Sequence, residues 1–454
     1  MNIRDGKLIW LNRLTPVQLL LLFYIVAVIF STVLLALPVA YKENASISFI
    51  DLLFTAVSAL SVTGLSTISI VDTFSTTGVI FLTIILHLGA VGVMAISTLI
   101  WLIIGKKIGL IERRLIMTDQ NQTSFKGMVR LIKQIIILIL FVELLFVIIL
   151  GFYYLTYYDS VAEAFFHGYF TTITAISNAG FDLTGLSMIP FRGDYFIQGA
   201  VMFLIIFGAV GFPVLIEGKE FLLGKRKKNR TYRFTLFFKV TVVTFFALIL
   251  IGAIGIYLLD INGFFKGVVW HESFFYAVFQ SVTTRSGGLA TLDVSKLTDA
   301  NQLFMSFLMF VGASPSSAGG GIRTTTCARV MLFILTYISG KKQVRIFNRE
   351  IHEEDLRKAV TITLVAFFIM FASVLLVSVV EDFSLTQILF EVTSAFGTVG
   401  LSMGITADLS ILSKILLMLL MFIGRVGIIT FLLIFRPRVN PSNVRYPKER
   451  MIIG

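Results

Sequence analysis

Four short stretches of this chain could do one kind of chemistry together: Val62-Thr63-Gly64, Asn178-Ala179-Gly180, Ser286-Gly287-Gly288 and Thr398-Val399-Gly400. Each follows a short apolar stretch and precedes a long one. Their last glycines are 116, 108 and 112 residues apart. None of the residues is charged, so what they offer is main-chain carbonyl oxygen. A glycine at each copy lets the backbone turn those oxygens toward a common axis. Rings of backbone carbonyls replace the hydration shell of an alkali cation in selectivity filters. Four copies in one chain are enough to surround one pore, and the chemistry expected of them is desolvation and passage of a cation.

Other chemistries find little support. The four histidines and the single Cys327 show no metal-ligand spacing. There is no phosphate loop, dinucleotide fingerprint or nucleophile elbow. Gly319-Gly320-Gly321 lacks the Lys-Ser/Thr that a phosphate loop requires. The residues therefore argue against an enzyme and against a nucleotide site in this chain. His87 reads as a packed polar residue, and Asp51 and Glu391 read as structural hydrogen-bonding groups.

The elements that must position the four stretches repeat with them. Each copy reads as outer helix, short re-entrant helix, filter and inner helix. The first uses Pro16–Pro38, Ser48–Leu60 and Thr77–Ile104; the second Leu131–Tyr154, Ser160–Ile176 and Tyr195–Leu223. The third uses Phe234–Leu259, Glu272–Val282 and Asn301–Ser339; the fourth Leu356–Val380, Ser384–Ala395 and Ile411–Phe435. Ser48-x-x-Asp51, Ser160-x-x-Glu163 and Ser384-x-x-Gln387 resemble capping boxes at the starts of three short helices. The C-terminal end of each short helix carries partial negative charge, which favours a cation beside it. The expected divisions are 1–110, 111–228, 229–345 and 346–436 for the four pore repeats, with 437–454 as a cytoplasmic tail.

The inner helices carry Gly89-Ala90-Val91-Gly92, Gly208-Ala209-Val210-Gly211 and Gly424-Arg425-Val426-Gly427, read as lying within continuous helices. The third copy instead continues from Gly312 into Ala313-Ser314-Pro315-Ser316-Ser317-Ala318-Gly319-Gly320-Gly321. Proline and triple glycine break a helix. Broken backbone at membrane depth is tolerated only where it is buried or lines a water-filled path. The segment 312–322 is therefore expected to be a gate below the filter, the alternative being a cytosolic extension of the helix. Arg425 is expected to hold that loop through carbonyl contacts or to pair with a structural acid. Arg285 is expected to pack behind the filter and brace carbonyls.

Composition places all of this in a bilayer. The chain has 454 residues, 57% hydrophobic and 14% charged, with mean hydropathy +0.91. Apolar runs of spanning length recur. The first, preceded by Arg4, Lys7 and Arg13, lacks a cleavage site and reads as a retained helix. Of 38 Lys and Arg, 29 fall at the N-terminus and in 105–133, 218–239, 340–358 and 436–454. By the positive-inside rule these are cytoplasmic, which implies eight spanning helices with both ends inside. The formal charge of +12 is then a topology signal and a cytosolic docking surface, and no nucleic-acid module accompanies it. The fold class expected is an all-α multi-pass membrane protein with four concatenated pore repeats around a central pore.

The phrases Val62-Thr63-Gly64-Leu65, Asn178-Ala179-Gly180-Phe181, Thr284-Arg285-Ser286-Gly287-Gly288, Phe396-Gly397-Thr398-Val399-Gly400 and Phe422-Ile423-Gly424-Arg425-Val426-Gly427 resemble the Trk, Ktr and HKT potassium transporter superfamily. The similarity covers nearly the whole chain and points to membrane subunits of bacterial Ktr uptake systems, of the KtrB/KtrD type. It implies a bacterial plasma-membrane location, a potassium path through the four stretches and an intramembrane gate around Ala313–Gly321. It also implies a homodimer and a cytosolic ring of nucleotide-binding subunits of the KtrA/KtrC type. Where relatives often have Ala-Gly in the third filter, this chain has Gly287-Gly288. Gly64, in place of the serine found in some sodium-preferring relatives, points to potassium. Sodium stimulation, or a sodium- or proton-coupled symporter using the same pore, stays open at this point.

Overall fold

The computed structural model describes residues 15–43, 45–92, 128–223 and 233–434, with 447 and 449 as isolated positions. Four long apolar helices punctuate the chain: Pro16–Leu35, Met128–Tyr154, Leu236–Leu259 and Glu353–Val380. All four are long and apolar enough to cross a membrane. Their outward faces are bare hydrocarbon, as at Ile25, Val26, Ile29, Phe30 and Val33 in the first and Phe367, Phe368 and Phe371 in the fourth. Side chains of this kind belong against lipid rather than water.

Each outer helix is followed by a short one: Phe49–Ser61, Val161–Ser177, Trp270–Thr283 and Leu385–Gly397. Ser384 and Gln387 form the full reciprocal capping box. Ser48 accepts from the Asp51 N–H and donates to its carboxylate. The second expected box is absent, because the Ser160 side chain makes no cap bond. The third helix starts at Trp270, behind Val269, which has no capping side chain. Burial of their C-terminal halves, rather than a common cap, is what the four share.

The inner helices depart from expectation. They run Thr76–Val91, Tyr195–Ala209, Asp299–Phe310 and Ile411–Val426 and then stop. Gly92, Gly211 and Gly427 follow three of these ends with φ of +94°, +100° and +93°. That backbone is closed to an ordinary L residue, so the second glycine of each phrase ends the helix instead of lying within it. After Gly211 the chain re-forms a helix at Phe212–Leu222, bent by 106° from the one before it. After Gly427 it does so at Ile428–Ile434, and in the third quarter the break widens to a loop ending at Thr324–Ile338. Among the described residues four helices meet the length and hydropathy of a span, or five if the bent pair counts as one. The stretch expected to extend the first inner helix to Ile104, most of the basic segments, and the tail beyond 434 lie outside the described residues apart from 447 and 449. A two-strand ribbon, Arg345–Ile346 with Arg349–Glu350, follows the third inner helix.

Packing closes the four quarters on one another. The inner helix of the first lies against the short helix of the second, the second against the third, the third against the fourth, and the fourth against the first. Lys414 and Asp51, 2.9 Å apart, join the inner helix of the fourth quarter to the short helix of the first. The C-terminal ends of the short helices therefore meet in the middle.

Candidate functional site: a ring of main-chain carbonyls

The short helices of the first, second and fourth quarters end in left-handed residues, Val62, Asn178 and Thr398, at φ +57°, +59° and +47°. In the third, Ser286 takes that conformation at φ +75°. The turn folds the next N–H groups back onto the helix. Thr63, Ala179 and Val399 donate to the carbonyls of Ser58, Thr174 and Ser394 at 2.8, 2.8 and 2.9 Å, and Gly287 donates to Thr283 at 2.7 Å. Gly64 and Gly400 donate to the hydroxyls of Ser58 and Ser394, both at 3.1 Å. With their donors spent backward, these strands present their carbonyls forward. Of the carbonyls of the twelve residues named from the sequence, only that of Thr398 accepts a hydrogen bond among the described residues, from Ser286 Oγ at 2.5 Å.

The four strands touch in cyclic order. A Cβ placed on Gly64 would lie 2.1 Å from the Ala179 oxygen. One on Gly180 would lie 2.8 Å from Gly288 Cα, and one on Gly288 2.5 Å from the Val399 oxygen. One on Gly400 would lie 2.1 Å from the Thr63 oxygen, which closes the ring. The four glycines have φ of +94°, +70°, +75° and +94°. Two constraints, backbone sign and contact, therefore select glycine at each.

The first glycine of each inner-helix phrase serves the same ring from behind. A Cβ on Gly89, Gly208 or Gly424 would stand 2.4, 2.1 and 1.9 Å from the carbonyls of Leu60, Ile176 and Phe396. Each of these carbonyls sits near the end of a short helix. The missing side chain lets the inner helix support that end directly.

On one side, the four filter glycines floor a cavity of about 750 Å³. Asp182, Arg192, Asp293 and Lys296 also line it. Asp182 accepts from the N–H groups of Thr184 and Ser187 at 3.1 and 3.0 Å, holding the turn that follows the second filter strand. Burial pushes the Asp293 carboxyl up, but hydrogen bonds from Ser295 and the nearby Lys296 outweigh it and hold it below the usual carboxylate range. Neither acid was singled out from the sequence, where an isolated Asp in a loop carries no pattern.

On the other side lies the loop of the third quarter. All of Ala313–Gly321 apart from the half-buried Pro315 is buried. A Cβ on Gly319 would lie 2.5 Å from Ser286 Oγ, and one on Gly320 2.5 Å from Thr398 Oγ1, so the loop abuts the filter. Its backbone is tied to neighbours: Ser314 and Ala318 N–H donate to Ala209 and Gly208, and Gly321 N–H to Gly424. Phe212 N–H, just past the second break, donates to Ser316 at 2.9 Å. A second cavity, of about 700 Å³, opens beneath and is lined by Pro315, Ser316, Gly321, Arg323, Asp355 and Lys358.

Three arginines bind this layer. Arg425 Nη1 donates to the loop carbonyls of Ala318 and, at 3.5 Å, Ser317. Its Nη2 donates to Gly89 and, at 3.1 Å, Ala90 at the end of the first inner helix. Arg323 Nη1 donates to Gly319 and, at 3.4 Å, Ser314 within the loop itself. Arg285 is fully buried and donates to Val311 at 2.5 Å and to Leu308. It thus caps the end of the third inner helix, where the break leaves carbonyls open, and grips no filter carbonyl. Glu391 accepts from Ser402, Thr406 and the Met403 N–H, holding the turn after the fourth filter strand.

A family model described as a cation transport protein, TrkH, matches residues 14–444. The Ktr system potassium uptake protein D of Bacillus subtilis (strain 168) is 53% identical, with all of both chains covered. The Ktr system potassium uptake protein B of the same organism is 32% identical, again over all of both chains. The potassium transporter TrkH from Vibrio parahaemolyticus has a similar solved structure, with TM-score 0.67 at 18% identity, covering 91% of this chain and 84% of that one. The chain is a multi-pass protein of the bacterial plasma membrane and not an enzyme. It belongs to the TrkH family of cation transport proteins, as a membrane subunit of the Ktr type.

Proposed function

We propose that this chain carries potassium into the cell through the carbonyl ring, as the translocating subunit of a Ktr-type uptake system. Potassium is the ion because relatives matched over their whole length are named potassium uptake proteins. The observation that supports the reading best is the cyclic contact of four strands whose carbonyls are almost all unbonded. The ion sheds water in the vestibule above Gly64, Gly180, Gly288 and Gly400. It then exchanges hydration for carbonyls of Val62–Gly64, Asn178–Gly180, Ser286–Gly288 and Thr398–Gly400.

The loop from Ala313 to Gly321 blocks the way below, and Arg425 latches it. The gate opens when loop and latch part, under control of a separate cytosolic ring of nucleotide-binding subunits docked on the basic inner surface. The four quarters divide near 110, 228 and 345, each contributing one outer and one inner span, with both termini in the cytoplasm. Two copies form a homodimer, each with its own path. Sodium is a minor or modulating ion here.

The test is flux from liposomes holding the purified chain, with rubidium as tracer. Rubidium flux is expected to exceed sodium flux clearly. Arg425→Ala is expected to raise basal flux, and the regulatory ring to restrain the unaltered chain more than the variant. Flux that requires a sodium or proton gradient would replace the channel by a symporter. Basal flux unchanged in Arg425→Ala would remove the latch.

A further inference from the structure

His87 lies in the last two turns of the first inner helix, half-buried, and touches a second ionisable group. Its Nδ1 faces the Thr83 carbonyl at 2.8 Å. Its Nε2 faces the two carboxylate oxygens of Glu143 at 3.1 and 3.2 Å. Glu143 is buried, near the middle of the second outer helix, Met128–Tyr154. An ionisable side chain at that depth is costly unless paired, which makes its position a functional candidate.

The geometry says how the pair is neutralised. Both ring nitrogens meet acceptors, so a hydrogen must lie on each contact. Nδ1 donates to Thr83. The hydrogen between Nε2 and Glu143 belongs either to imidazolium facing carboxylate or to carboxylic acid facing neutral imidazole. The pair is uncharged overall in both forms, so it binds two helices without leaving a net charge in hydrocarbon.

What it holds is the end of the first inner helix. Gly89 and Ala90 are two and three residues beyond His87, and the helix ends at Val91. Carbonyls in a last turn are open to outside donors, and these two receive Arg425. The other arm of Arg425 reaches the loop at Ala318 and Ser317. On the same side of the helix, Thr83 Oγ1 meets the Tyr169 hydroxyl of the second short helix at 3.1 Å. The contacts form one path: Glu143, His87, the Gly89–Ala90 carbonyls, Arg425, loop.

We infer that His87 and Glu143 are a positioning pair for the gate. They fix the last turn of the first inner helix where Arg425 can span it and the loop at once. The inference rests on the reading of the loop as gate and Arg425 as its latch. Without the pair, the helix end is free to shift, Arg425 loses its hold on the Gly89 and Ala90 carbonyls, and the loop is held less firmly although no loop residue has changed.

Rubidium flux from liposomes, without the regulatory ring, tests this. Glu143→Leu and His87→Ala are each expected to raise basal flux about fivefold, the change expected when one hydrogen-bonded link is lost from a two-state gate. Glu143→Gln keeps an oxygen facing Nε2 and His87→Gln keeps a donor facing Glu143, so both should stay near the original flux. The ratio of rubidium to sodium flux should not move in any of them. The double variant Glu143→Leu/Arg425→Ala should conduct no more than Arg425→Ala, since both act on one latch. Single variants that keep the ion ratio but show the original basal flux would overturn the inference, as would effects that multiply in the double variant. If Glu143→Leu does not reconstitute, His87→Ala carries the same comparison alone. If Arg425→Ala is itself without effect, the latch reading falls; if it raises flux and the pair variants do not, the positioning role alone falls.

Discussion

At the scale of single residues, the glycines of the four strands carry two demands at once. Gly64 must hold φ at +94° and leave room for an oxygen that a Cβ would meet at 2.1 Å. Either demand excludes a side chain, and forcing one into that backbone region costs on the order of 1–3 kcal/mol. The carbonyl of Ala179 must give way if a side chain is added. Gly64→Ser is therefore expected to lower the preference for potassium over sodium, read as the ratio of rubidium to sodium uptake; an unchanged ratio would contradict the filter assignment. The four strands that meet in the ring stood out in the sequence because each group is local and recurs. Arg425 was legible as a charge within an apolar inner helix, expected to hold the loop, yet its contact with Gly89 was not, being 336 positions away in sequence. His87 read as a packed polar residue for the same reason, because nothing in its neighbourhood names Glu143. Arg285 was legible as a buried brace, but the carbonyls it grips belong to Leu308 and Val311 rather than to the filter.

At the scale of elements, order and approximate extent were readable from apolar runs and turn residues, and the breaks were not. Gly92, Gly211 and Gly427 sit among apolar residues, where a single glycine is tolerated inside a helix at modest cost. Only their positive φ shows that they end one. Ser160-x-x-Glu163 fitted a capping pattern, but the Ser160 side chain does not reach back to the helix. Asp194, unremarked in the sequence, is the stronger cap. It accepts from the N–H groups of Phe196 and Ile197 at 2.9 and 3.0 Å and from the hydroxyls of Tyr153 and Tyr157, both at 2.8 Å. It thereby ties the second inner helix to the end of the second outer helix. Burial pushes its carboxyl up, but these four hydrogen bonds outweigh burial and hold it below its ordinary value. A carboxyl lowered by folding stabilises the fold above its unfolded pKa of about 3.9, and that contribution fades as pH falls through the lower, folded value. Asp194→Ala is expected to cost about 1 kcal/mol at neutral pH, as a lost helix cap does, seen as a lower Tm in detergent. The gap from the original protein should narrow below about pH 4. Equal Tm values at neutral pH would show that the cap contributes nothing.

At the scale of the whole molecule, the fourfold pattern was plain in the spacing of the glycines, but the manner of closure was not. The sequence does not say that each inner helix leans on the short helix of the next quarter, nor that the fourth returns to the first through Lys414 and Asp51. That closure makes a single chain do what four separate chains would otherwise do. With no nucleotide site legible in its sequence, net flux is expected to follow the potassium gradient and the membrane potential, about 2.3 kcal/mol per charge per 100 mV. In liposomes the voltage at which rubidium current reverses should track the rubidium gradient alone. A sodium gradient imposed without one should drive no net rubidium movement, and a reversal voltage that shifts with sodium would point to coupling.

The hydroxyl of Ser286, leaning on the oxygen of Thr398, spoils the symmetry of the ring at one level. Val62, Asn178 and Ser286 stand at the corresponding places in their own strands, and among the described residues nothing donates to their oxygens. On the proposed reading of the ring as an ion path, a cation pausing there would be held more weakly by the fourth quarter than by the other three, its resting point off-centre, away from Thr398. Heavy-ion density along the conduction path should then trace a bent file rather than a straight column, with the kink at the innermost rung.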